Sequence, residues 1–452
     1  MSRILIKNGT IVSMDRQTGD LRGDLLVENE RIAAIGPAIE ASDAQIIDAS
    51  TMIVSPGLIN SHIHTWETGL RGIAGDWTMP QYVQAMHRGL ATHFRPDDIN
   101  IANLMGALTS INSGITTIVD WCHNNPTPEH TDAAIEGLQE SGVRAVFLHG
   151  SPKPNPKPGQ KHFSEMPMPR AEVERLLKGR LASRNARITL GLAVLGPTYS
   201  IYDVTRQDLQ LARELDLVAS MHVAGVTPVS PDGFKRIVAD ALAGDKTNIV
   251  HGNDLTDEEL RHLTGRGVQF TVTADVELQM GFGNPLTGRL RLLGAPMSIG
   301  SDVEITARPD MFGIIRTTLQ TQRNIDHIQS LHTTAKANEK ISITCREAFG
   351  WATVNGAKML GLDRRIGSLA VGKQADIVLL RKDDLNMFPV HDPLSSLVTQ
   401  AGISNVDTVL IGGRQLKRGG QLLFANIAEK KAALQRSGER ILRDFGELPR
   451  AA

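Results

Sequence analysis

Four of the 14 histidines stand at or just past the end of a short apolar run: His62 and His64 after 58–61, His222 after 217–221, and His251 after 248–250. Asp302 follows another run, 297–300. In an extended strand residues i and i+2 point to the same side, so His62 and His64 present two imidazoles together, the arrangement of a pair of metal ligands. A lone histidine at a strand end is most often a hydrogen-bonded structural residue. Five strand-end coincidences, gathered around one mouth by a barrel, point instead to a metal site. Only Cys122 and Cys345 are present, too few for a disulfide framework or a thiolate-rich zinc cluster, so the donors must be nitrogen and oxygen.

The elements that would position these residues can be read from periodicity. Eight apolar runs, at 58–61, 115–119, 143–148, 188–194, 217–221, 248–250, 268–272 and 297–300, alternate with helical patterns that include 98–111, 128–141, 205–214, 232–243, 256–265 and 311–322. Parallel strands buried on both faces read as continuous apolar runs, and eight of them with helical crossovers predict an α/β fold, a closed (β/α)8 TIM barrel. The first 55 residues instead read as short strands, 4–7, 10–13, 24–28, 31–35, 45–48 and 52–54, with Asn8-Gly9 as a turn. The same texture returns at 376–380, 406–411 and 414–417. Each half alone would leave an apolar face uncovered, so both termini are expected to build one small β-sandwich domain. The expected boundaries are 1–56 and 366–425 for that domain, 57–365 for the barrel and 426–452 for a C-terminal helix. In that helix Leu434, Ile441, Leu442 and Phe445 share a face for packing or subunit contact. The segment 151–169 holds six prolines and cannot be helical. Its place after the third run makes it either a lid on the barrel rim or a plain surface loop.

Composition narrows the partners. The 452 residues carry 48 Lys+Arg against 49 Asp+Glu, a net charge of −1, with no basic block of the kind that binds nucleic acid. No stretch reaches the roughly 18 apolar residues of a membrane span, and the first thirty residues lack a signal-peptide core. A cytoplasmic protein with a small-molecule partner, no nucleic acid and no membrane is expected.

The sequence also resembles the amidohydrolase superfamily, in the branch of the cytosine, guanine and thioadenosine deaminases and the s-triazine hydrolases. The resemblance runs through Pro56-Gly57-Leu58-Ile59-Asn60-Ser61-His62-Ile63-His64, Ser113-Gly114-Ile115-Thr116-Thr117, His251-Gly252, Ser298-Ile299-Gly300-Ser301-Asp302, and Gly367-Ser368-Leu369 through Gly372-Lys373-Gln374-Ala375-Asp376. It implies that His62, His64, His222 and Asp302 hold one divalent metal, Zn²⁺ first with Fe²⁺ as the alternative. It also implies that His251 meets the bound water or the substrate, and that the chain forms a homo-oligomer. No barrel lysine offers itself as a bridge between two metals.

Such a site would perform hydrolysis at a C–N centre of a small cyclic or heteroaromatic substrate, foremost deamination. A divalent cation lowers the pKa of water to roughly 7; Asp302 can accept the water's proton, and His251 can polarise the substrate. In most deaminases of the branch a Glu three residues after the fifth-strand His handles the leaving-group proton. Here that position is Gly225. Glu277, after the seventh run, is the expected substitute on the same rim, as proton shuttle and substrate contact; a solvated loop carboxylate is the plainer reading. Hydrolysis of an exocyclic amide or other leaving group is the alternative, and a non-catalytic scaffold a third. Trp66, His123 and Tyr199 are further candidate substrate contacts. His87, His93, His262 and His327 fall in helical or loop patterns and are expected at the surface.

Overall fold

The computed structural model describes residues 3–223 and 225–449. Each of the eight apolar runs forms a parallel strand: Leu58–Ile63, Ile115–Cys122, Arg144–Gly150, Ile188–Ala193, Ala219–Val223, Thr247–His251, Gln269–Val272 and Met297–Ile299. They lie side by side in chain order. The second and third are buried at every position, which is why neither shows the alternation of a half-exposed strand.

The barrel closes through Asp302. Its N–H donates to the His62 carbonyl at 2.9 Å, and the His64 N–H donates to the Asp302 carbonyl at 3.0 Å. The chain just past the eighth strand thus bridges in parallel to the end of the first. Gly300 permits this approach, since a Cβ there would sit 2.7 Å from the His62 nitrogen. Closure and the candidate chemistry therefore share the same few residues.

Between strands, the patterns at 98–111 and 128–141 become helices Pro96–Asn112 and Pro128–Ser141, each opened by a proline whose missing N–H costs nothing there. The pattern at 311–322 runs on as Met311–Thr334, whereas 232–243 yields only Gly233–Ala239. The segment 151–169 is irregular apart from one tight turn at Phe163–Glu165.

The termini build one nine-stranded sheet. The front of the chain supplies Arg3–Ile11, Leu21–Glu28, Arg31–Gly36, Gln45–Asp48 and Met52–Pro56; the back supplies Ile377–Arg381, Val406–Ile411, Arg414–Arg418 and Gln421–Leu422. The halves meet where Met52–Pro56 pairs antiparallel with Ile377–Arg381, Val54 opposite Leu379. Ile6, Leu25 and Val54 pack with Leu369, Ile377 and Leu410 in a core of their own, so neither half covers its apolar face alone. Asn8-Gly9 is not a hairpin turn. Asn8 has φ 63° and the register shifts between Ile6 and Gly9, which makes the pair a bulge inside a single strand.

The last helix, Ile427–Phe445, lies on Pro96–Asn112, where Arg440 reaches the Asp98 carboxylate and Ile441 is fully buried. No helix of the described residues is long and apolar enough to cross a membrane.

Candidate metal centre

His62 and His64 leave the first strand on its inner side and meet His222 from the end of the fifth and Asp302 from just past the eighth. Their ligand-capable atoms all lie within 4.8 Å of one another. His62 Nε2 lies 3.1 Å from His222 Nε2 and 3.1 Å from Asp302 Oδ1, and His64 Nε2 lies 3.3 Å from Asp302 Oδ1. Donors about 2.1 Å from a tetrahedral cation stand about 3.4 Å apart, so these separations suit one ion.

The electrostatics agree with the distances. Burial lowers His62 to about 3 and His222 well below the ordinary imidazole range, so both rings are neutral near pH 7 with lone pairs to share. His64 Nδ1–H donates to the Trp121 carbonyl at 2.6 Å, which leaves its Nε2 lone pair facing the cluster. Burial pushes the Asp302 carboxyl up, but the histidines gathered around it, His62, His64 and His251, outweigh that and hold the group well below the usual carboxylate range. Three imidazoles and one carboxylate make a donor set that fits a divalent cation.

His251, at the end of the sixth strand, stands beside this cluster with Nε2 3.7 Å from Asp302 Oδ2. Its Nδ1–H donates to Thr273 Oγ1 at 3.0 Å. Glu277 Oε1 in turn accepts from Thr273 N–H at 2.8 Å and from Thr273 Oγ1 at 3.4 Å, and lies 3.4 Å from His251 Nδ1. Both His251 and Asp302 hold left-handed backbone, φ 66° and 63°, conformations uncommon outside glycine that often occur at functional sites. Glu277 lies just past the seventh strand, as the sequence pattern placed it, but it is neither solvated nor open to the cavity. Residues Ala274–Gln279 form a helix directly after the seventh strand, and that turn tucks the carboxylate, fully buried, behind His251.

His64, His222, His251 and Asp302 open into a narrow cavity of about 360 Å³ counting its mouth. His123 and Tyr199 stand on its wall, whereas Trp66 lies fully buried behind His123 and donates from Nε1 to His123 Nδ1 at 3.3 Å. His123 Nε2 in turn lies 3.2 Å from His87 Nε2, which shares the cavity wall. His87 is therefore a buried wall residue and not a surface one. It arrives on short helical turns, Met79–His87, that fold over the barrel mouth without a long amphipathic period to announce an inner face. Tyr82 and Lys153 also line the cavity and were not singled out from sequence; Lys153 had only the proline-rich segment around it as a signal. A wider hollow of about 1300 Å³, counting its mouth, lies at the opposite end of the barrel beside residues 358–363, and no histidine or cysteine lines it.

Gly225 stands where the resemblance implies a glutamate. The residue has φ 65°, and a Cβ would stand 3.2 Å from Met79 Cγ and 3.3 Å from Phe282 Cε1. Backbone and neighbours together leave an L side chain poorly accommodated.

Residues 53–416 match the sequence model of the amidohydrolase family, and the chain belongs to that family. It is 26% identical over 432 residues to a 5'-deoxyadenosine deaminase of Methanothermobacter thermautotrophicus, covering 92% of this chain and 93% of the relative. It is 29% identical over 436 residues to an 8-oxoguanine deaminase of Pseudomonas aeruginosa, with 91% and 93% covered. Among solved structures, the atrazine chlorohydrolase of Arthrobacter aurescens, complexed with zinc, superposes with a TM-score of 0.82 at 22% identity over 97% of this chain and all of that one.

Proposed function

We propose that the protein is a metal-dependent hydrolase that attacks a C–N centre of a small cyclic or heteroaromatic substrate, releasing ammonia. The observation that carries this reading is the convergence of His62, His64, His222 and Asp302 within 4.8 Å, with His251 beside them. The naming of two family relatives as deaminases, with nine-tenths of each chain aligned, supports it further. The four residues would hold one divalent cation, zinc first by analogy with the zinc-bound structural relative and iron(II) as the alternative. When bound, such a cation supplies hydroxide near neutral pH by lowering the pKa of water from 15.7 to about 7.

The chain's own residues then have distinct roles. Asp302, an anion in this setting, takes the proton of the attacking water. His251, its Nδ1–H tied to Thr273, keeps Nε2 turned toward the space where the reacting carbon would sit. The water oxygen bonds to the ring carbon, the C–N bond breaks, and the nitrogen leaves as ammonia with the proton that Asp302 carried. A second reading, displacement of an amide or other leaving group, is favoured by Gly225, because the glutamate that would protonate an amine is missing there.

Metal analysis and product analysis test these readings separately. His64→Ala and Asp302→Ala are expected to lose both the metal, near one equivalent in the wild type, and all turnover, because each breaks the donor set. Retention of metal and activity by either variant refutes the ligand assignment. A screen of amino- and amide-substituted heterocycles with ammonia detection and mass analysis separates deamination from the alternative.

A further inference from the structure

Lys153 brings a cation to the candidate site from the proline-rich segment. The residue is 6% exposed, lines the cavity, and holds Nζ 4.4 Å from the Tyr199 ring centre and 5.6 Å from the Trp121 ring. Burial lowers its ammonium to about 8, opposed only by the charge of Glu67, so it remains charged at neutral pH. Glu67 is itself a poor counter-ion. Burial raises its carboxyl well above the ordinary range, Tyr82 donates to its Oε1 at 2.8 Å, and its Oε2 is buried without a partner among the described residues.

Aromatic faces attract an ammonium but accept none of its three N–H bonds in the way an oxygen does. The ammonium faces the cavity, so an oxygen on a bound ligand is well placed to accept from it. The cavity is narrow, with Met79, Met280 and Phe282 as apolar walls, so the ligand must be compact and flat.

We propose that Lys153 determines substrate specificity by receiving a ring oxygen, as a carbonyl or its deprotonated form, so that the substrate class is an oxo-substituted nitrogen heterocycle and not a ring bearing amino groups alone. This inference rests on the hydrolase reading and deepens it. A site built to hydrogen-bond a substrate group discriminates strongly against an analogue that lacks it, because its own polar atoms are then left unpaired.

The test uses the full-length, metal-loaded protein and two matched pairs of probes: isocytosine against 2-aminopyrimidine, and guanine against 2-aminopurine. Dissociation constants and ammonia release are followed separately. The wild type is expected to bind the oxo member of at least one pair at least about ten-fold more tightly than its oxygen-free partner. Lys153→Met should reduce that ratio to below about two-fold, and Lys153→Arg, which keeps the charge, should preserve most of it. No oxygen preference in the wild type, no binding of any of the four probes, or a preference undiminished in Lys153→Met overturns the inference. If the preference depends on Lys153 but no heterocycle yields ammonia, the specificity role stands and the deaminase reading falls.

Discussion

A carboxylate sealed behind an imidazole cannot trade protons with a leaving group, yet it can decide which ring nitrogen faces the cavity. Glu277 does this through Thr273, whose hydroxyl accepts from His251 Nδ1 and donates to Glu277 Oε1. Partners of this kind typically contribute 10- to 100-fold to activity through orientation. Glu277→Gln and Thr273→Val are each expected to lower kcat by about that factor with metal content and KM little changed. If they act as one relay, the double variant should be barely worse than the poorer single variant. A shuttle that met substrate directly would instead give Glu277→Gln the whole loss alone and leave Thr273→Val nearly silent. Sequence reasoning reached Glu277 and its place after the seventh strand but not its burial, because a short helix after a strand turns side chains inward in a way that an isolated stretch of eight residues does not disclose.

Among the elements, the proline-rich segment 151–169 was legible as non-helical, and its position after the third strand placed it at the rim. Which side chain it would deliver to the site was not legible, because irregular chain has no period from which to infer an inner face; Lys153 and the turns carrying Tyr82 and His87 share that reason. The far end of the segment is fixed by Met168 N–H, which donates to Asp208 Oδ1 at 2.7 Å on helix Tyr202–Glu214. Burial pushes the Asp208 carboxyl up to about 7 although this hydrogen bond opposes it. A raised carboxyl contributes stability that is full below its unfolded value, near 3.8, and is lost as the pH rises through the folded value. Asp208→Asn keeps an oxygen for Met168 and has no charge to bury. In denaturant unfolding its stability should therefore exceed that of the wild type above pH 7, by on the order of 4 kcal/mol, and the two should converge toward pH 4. A constant offset across this range would show that burial of the Asp208 charge is not what limits the anchor.

At the scale of the whole molecule a buried ion pair adds to the apolar packing of Val378 and Val406 that joins the terminal sheet to the barrel. Arg144, first residue of the third strand, donates from Nε to Asp376 Oδ2 at 2.7 Å and from an NH2 group to Asp376 Oδ1 at 3.0 Å, and Asp376 also accepts from Gly412 N–H at 2.7 Å. Both side chains are at most 5% exposed. Asp376 ends the Gly372-Lys373-Gln374-Ala375-Asp376 segment, so a motif read from sequence as a mark of kinship also serves a physical purpose, turning a carboxylate from the terminal sheet toward the barrel. The eight strands and the composite sheet were legible because burial writes itself into apolar runs; a pair separated by more than two hundred residues leaves no such trace. Asp376→Ala should destabilise the protein by about 3–5 kcal/mol, since it strands the Arg144 guanidinium in a dry interface. If that stranded charge is the chief penalty, adding Arg144→Met should restore much of the loss, because a matched apolar pair no longer has a charge to desolvate. Denaturant unfolding of the two single variants and the double variant decides this. A double variant no more stable than Asp376→Ala would mean that the oriented, two-pronged hydrogen bonding itself holds the terminal sheet on the barrel.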